Sequence, residues 1–182
     1  MGLLTLDEAK AQLDIETTQN DVELQAYVDA LTAVIEGYIG PVENREVTET
    51  VDGRGPLLSL LQPPVVSLVS FTPILSAGQS LDVTRLHVDG PSGTVRRLDG
   101  GRFVGGPWTA VYTAGRGSIA PTINLAARIL LQHLWRTQNG GARGGQRADD
   151  FDVTEPIVGF GYAVPNRVLQ LLESFKQPPG IA

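Results

Sequence analysis

Hydrophobic positions change their spacing twice along this chain, and the changes divide it. Leu24, Val28, Leu31, Ile35 and Tyr38 recur at alternating four- and three-residue intervals, which places them on one face of a helix. Ahead of them, Thr5-Leu6-Asp7-Glu8 has the spacing of a capping box. In that motif the hydroxyl accepts from the amide three residues on, and the glutamate reaches back. A short helix is predicted over Leu6–Leu13 and a polar loop over residues 14–20. Asn20 or Asp21 should cap the longer helix, and Gly40-Pro41 should stop it.

After Pro41 the period shortens to two. Glu46–Val51 is rich in β-branched residues, and Leu57–Leu61 and Val65–Phe71 are apolar runs parted by Gln62-Pro63-Pro64. Val83–Val88 and Thr94–Leu98 flank Asp89-Gly90-Pro91-Ser92-Gly93, a hairpin with a longer loop. In Trp108–Thr113, Trp108, Ala110 and Tyr112 share one face of a strand, and Thr109, Val111 and Thr113 share the other. Five or six short strands with tight turns point to an antiparallel sheet or small barrel. Pro63, Pro64 and Pro73, which cannot donate to a ladder, should mark ends or edges.

The period then lengthens again. Gly115 and Gly117 free the backbone for a turn, and Pro121 suits the first turn of a helix. Ile123, Ala126, Ala127, Leu130, Leu131 and Leu134 follow at helical spacing, closing with Trp135 and Arg136. Asn139–Gln146 is low-complexity and predicts a mobile loop. Asp149 to Gly161 is predicted to be irregular, with one short extended piece expected around Ile157-Val158. A last helix is predicted to start at Pro165 with Val168, Leu171, Leu172 and Phe175 on one face, and to end at Pro178-Pro179-Gly180. The expected fold is α+β, a helical core with an inserted small antiparallel β-subdomain and a C-terminal helix and tail. In residue numbers, 1–41 holds the N-terminal helices of the core and 42–115 the β-rich subdomain. The central core helix occupies 116–138, a mobile Gly/Arg and acidic loop 139–164, and the C-terminal helix and tail 165–182.

Composition narrows the function classes. A chain of 182 residues, 42% hydrophobic and 19% charged, can bury one sizeable core or a core plus a small subdomain. A net charge of −6 argues against broad duplex binding, which needs a basic face to displace counterions. The absence of cysteine excludes disulfides and thiolate metal sites. No apolar run approaches the roughly 20 residues that span a bilayer, and MGLLTLDEAK has no basic stretch ahead of an apolar segment, so neither a membrane span nor a secretory signal is expected.

Four features invite a chemical reading. Gly115-Arg116-Gly117-Ser118-Ile119-Ala120 follows a strand and opens a helix, matching G-x-G-x-x-A, which would set a pyrophosphate on helix-terminal amides. The context opposes it, because the preceding strands read as antiparallel and no second strand bearing a ribose-binding acid follows. Asp149, Asp150, Asp152 and Glu155 lack the spacing and central glycine of a calcium loop and read as a solvated acidic stretch. His87 and His133 have no serine or threonine nucleophile placed beside them by any signature. Arg136, Arg143 and Arg147, spaced by glycines, could touch phosphates, but no aromatic residues are interleaved for base stacking. The apolar stripe of the last helix is too short to stand alone in water and needs a surface, either its own domain or a partner. No catalytic, cofactor or metal constellation emerges.

Three stretches resemble the head–tail connector (adaptor) proteins of long-tailed bacteriophages and gene-transfer particles. They are Leu4-Thr5-Leu6-Asp7-Glu8-Ala9-Lys10 with the helix after it, Val111-Tyr112-Thr113-Ala114-Gly115 leading through Pro121 into an alanine-rich helix, and Val164-Pro165-Asn166-Arg167-Val168-Leu169-Gln170-Leu171-Leu172. The resemblance implies a non-enzymatic virion protein of the neck, made in the host cytoplasm. It implies a homo-oligomeric ring, a dodecamer in the virion, that joins the portal protein to a stopper or tail-completion protein. The ring would line the DNA channel and touch genomic DNA transiently, with no membrane, cofactor or metal. The segment from Val164 onward would embrace the portal through Val168, Leu171, Leu172, Phe175 and Lys176. Arg136, Arg143 and Arg147 would meet DNA or a neighbouring subunit. Two rival readings are a nucleic-acid-binding module using the arginine loop and a small nucleotide-cofactor enzyme using Gly115 and Gly117.

Overall fold

The computed structural model describes residues 3–139 and 164–176. The chain divides into a helical unit, drawn from Met1–Ile39 and Ile119–Lys176, and a β unit that includes Gly40–Ser118. The α+β expectation holds.

In the helical unit, α1 (Leu6–Leu13) begins at the predicted capping box. The Glu8 amide donates to Thr5 Oγ1 at 3.2 Å, and the Thr5 amide donates to Glu8 Oε2 at 2.9 Å. α2 (Asp21–Ile39) buries Leu24, Val28, Leu31, Val34, Ile35 and Ile39, and leaves Tyr38 half-buried. It ends where Gly40 takes φ 79°, a conformation that costs glycine nothing. α3 (Pro121–Asn139) buries Ile123, Ala126, Ala127, Leu130 and Leu131. α4 (Asn166–Leu172) runs into a 3-10 turn over Glu173–Phe175, so the α-helix ends short of the stop expected at Pro178-Pro179-Gly180, which lies outside the described residues. Each large aliphatic side chain so buried contributes on the order of 1.5–3 kcal/mol. Polar ties bind these helices. Arg128 donates to Glu8 Oε1 at 2.8 Å, Lys10 reaches Asp21 at 2.7 Å, and Tyr27 meets Trp135 edge-on with ring centroids 5.6 Å apart.

The β unit holds two three-stranded antiparallel sheets. One is ordered β1-β6-β3, from β1 (Arg45–Val51), β6 (Trp108–Ala114) and β3 (Val65–Pro73). The other is ordered β2-β5-β4, from β2 (Leu57–Ser59), β5 (Thr94–Arg97) and β4 (Leu86–Asp89). The period-two pattern of β6 is realised in full: Trp108, Ala110, Tyr112 and Ala114 are buried and the residues between them half-buried. Those side chains share one core with Val47, Val51, Phe71 and Phe103, and with Leu58 and Val95 of the second sheet. The loop after β2 is tied down, because the Leu61 amide donates to Glu49 Oε1 at 2.9 Å and the Gln62 amide to the Tyr112 hydroxyl at 3.2 Å.

The run Leu57–Leu61 is strand only as far as Ser59, and the run Val83–Val88 departs further from expectation. Val83–Arg85 is a 3-10 turn and β4 starts only at Leu86. The Asp82 carboxylate accepts from the Thr84 amide at 3.0 Å and its hydroxyl at 2.7 Å, a local alternative to a ladder that Asp and Thr readily supply.

Candidate interaction surface

The glycine turn has a structural job. Gly115 takes φ 133° and Gly117 φ 72°. The Gly115 amide donates to the Pro64 carbonyl and the Gly117 amide to Asn44 Oδ1, each at 2.9 Å, while the Ser118 amide donates to the Arg116 carbonyl at 2.8 Å. These are the groups a bound pyrophosphate would require, and here they bind the chain to itself.

The last helix divides its apolar stripe. Val168 and Leu172, four residues apart, are buried, and the space they close against Val34, Ile35, Tyr38, Leu130 and Val164 belongs to the helical core. Leu171 and Phe175, a further turn round the axis, are half-buried, and Lys176 is exposed. Two of the five residues expected on a docking face therefore anchor the helix to its own unit.

A polar contact fixes the end of this helix against α2. The Tyr38 hydroxyl donates to Glu173 Oε2 at 2.6 Å, and Lys176 Nζ lies 5.1 Å from the Tyr38 ring centroid. The hydrogen bond to Glu173, then burial and the negative charge beside it, push the Tyr38 phenol up to about 12. An open depression lined by Tyr38, Asn166, Leu169, Gln170 and Glu173 lies alongside. By spacing Tyr38 belongs to the core stripe of α2, and nothing in the sequence marks Glu173 as its partner. The pair is separated by 135 positions, and no spacing rule connects them.

Arg136 is exposed near the end of α3, whereas Arg143, Arg147 and the acidic residues 149–155 lie outside the described residues. His87 is exposed on β4. His133 is half-buried on α3, where burial lowers its pKa and favours the neutral imidazole. Among the described residues, no group of His, Asp and Glu is placed to hold a metal ion, and no helix is long and apolar enough to cross a membrane.

The arrangement offers surfaces for assembly, and comparison with known proteins agrees with that. The profile of the head completion protein family matches residues 2–177. The chain belongs to that family. The resemblance to head–tail connectors read from three motifs is thereby extended to almost the whole chain. Its fold is similar to a chain in the neck of an empty gene transfer agent (GTA) particle computed with C6 symmetry. There the TM-score is 0.66 at 19% identity, covering 97% of this chain and 90% of the other. It is also similar to a chain in the virion of a native gene transfer agent particle, with TM-score 0.60, 18% identity, and 97% and 90% covered. A third likeness is to a chain in the neck of a native GTA particle computed with C12 symmetry, with TM-score 0.58, 17% identity, and 93% and 88% covered. No curated protein sequence matches the chain.

Proposed function

We propose that this protein forms a homo-oligomeric ring in the neck of a tailed particle, a dodecamer in the virion, linking the portal protein to the stopper or tail-completion protein. The observation that carries this reading is the family match over residues 2–177, joined to a shared fold with neck chains over at least 93% of this chain. The role is structural rather than catalytic. The ring surrounds the DNA channel, and a net charge of −6 lets the genome slide past without the counterion-release binding that a basic lumen would create.

Within that reading, α4 and its 3-10 turn meet the portal. Val168 and Leu172 hold the helix on its own unit, while Leu171, Phe175 and Lys176 face the partner. The combined L171A/F175A/K176A variant is expected to keep its helical circular dichroism and lose capture by purified portal protein. Retained capture would remove this segment from the interface. Electron microscopy of purified particles tests the larger reading. A ring of this chain between portal and tail is expected, and its density elsewhere in the particle would overturn the assignment.

A further inference from the structure

The outer face of the β2-β5-β4 sheet has a composition that no part of its own unit explains. Register sets Leu57, Arg96 and His87 side by side in one row, all exposed. The Leu98 amide donates to the Arg85 carbonyl at 2.9 Å, which puts Leu98 and Arg85 next to that row. Leu57 is 49% exposed and Leu98 65%. Leu58 and Val95, one position along on the same strands, point the other way into the core. The acid nearest Arg85, Asp99, is engaged by Arg97 at 2.6 and 2.9 Å, and Arg85 reaches it only at 3.8 Å. Arg96 has no carboxylate within ion-pair distance among the described residues.

Cations set among exposed leucines suit a protein surface better than a phosphate backbone. Duplex contact gains its energy from many released counterions and nothing from burying leucine. A partner that offers carboxylates beside an apolar contact would satisfy both parts. This chain carries such a surface. Between Lys10 and Arg45 there is no lysine or arginine, and α2 presents exposed Glu23 and Asp29 near Val22, which is 88% exposed. Among the described residues, Asp29 accepts a hydrogen bond only from the neutral Gln25 amide, at 2.8 Å.

We propose that the outer face of the β2-β5-β4 sheet receives the N-terminal half of α2 from a second copy of this chain, with Arg85 and Arg96 against Glu23 and Asp29 and Leu57 and Leu98 against Val22. The inference rests on the ring reading above. The contact is heterologous: each copy carries both halves, so it propagates from subunit to subunit and closes into a ring when the rotation permits.

The absence of cysteine makes the test clean. Purified particles carrying the D29C/R96C double variant are treated with a short bis-maleimide and resolved by denaturing electrophoresis. A ladder extending past the dimer is expected, while D29C and R96C singly give no species above dimer. A double variant that yields only monomer, in particles whose neck still shows a ring of this chain, overturns the contact while leaving the ring standing. Particles with no such ring would sink the ring reading itself. Charge exchange gives a second route. R85E/R96E should reduce incorporation into particles at least tenfold, and adding E23R/D29R should restore it. Failure of that rescue, together with salt-dependent duplex binding by the native chain that R85E/R96E abolishes, would make the face a DNA surface and refute the proposal.

Discussion

Single residues in this protein act through the backbone groups they satisfy or block. A β-carbon at Gly115 would sit 2.5 Å from Asn44 Oδ1 and 2.7 Å from the Glu43 carbonyl, on a φ of 133°. At Gly117 the space is open, and only the φ of 72° opposes a side chain, at roughly 1–2 kcal/mol. G115A is therefore expected to lower the denaturant midpoint clearly more than G117A, and equal losses would mean that the turn gives way easily. Glu8 makes a pH-dependent contribution. Its pKa is lowered from an ordinary 4.5, chiefly by the hydrogen bond from the Thr5 backbone and further by the Thr5 hydroxyl and Arg128. A carboxylate depressed in the folded state stabilises above its unfolded pKa, and that stability is lost as pH falls through the folded value. Thermal unfolding of E8Q should thus be less stable than native at neutral pH, and the two should converge below pH 4.5. A constant gap across that range would assign the loss to packing alone.

Elements show which local rules survived folding. The helix from Pro121 and the capping box at Thr5 both stand at the residues predicted, because their signals act within one turn of chain. Leu130 is fully buried, so L130A is expected to cost roughly 2–5 kcal/mol by denaturant unfolding. A loss near zero would contradict its place in the core. α4 was legible only as a helix. Val168, Leu171, Leu172 and Phe175 are all apolar, and the sequence cannot rank them. Which pair turns inward depends on the α2 and α3 side chains that complete the pocket. The 3-10 turn before β4 is hidden for the opposite reason, since Asp82 and Thr84 satisfy each other locally inside a run whose composition looks extended.

At the scale of the whole molecule, the β unit is an insertion between two parts of the helical unit, and it has its own core. Arg45 pairs with Ala114, so its first and last strands lie side by side and the segment enters and leaves at neighbouring points. Residues 40–118 expressed alone are expected to fold cooperatively, with dispersed amide resonances and a single unfolding transition. A disordered spectrum would show that the helical unit is needed to complete that core.

The sequence alone settled where the helices start, the antiparallel character of the middle and the family, because capping, periodicity and turn chemistry are set by neighbours a few residues apart. Tertiary structure alone decided the strand order β1-β6-β3, the burial of Val168 and Leu172 in place of their neighbours, and the Tyr38–Glu173 contact. It also decided the meeting of Arg85, Arg96, Leu57 and Leu98 on one face. Each of these depends on residues far apart in the chain being brought together, and only the packing of complete elements fixes which ones meet.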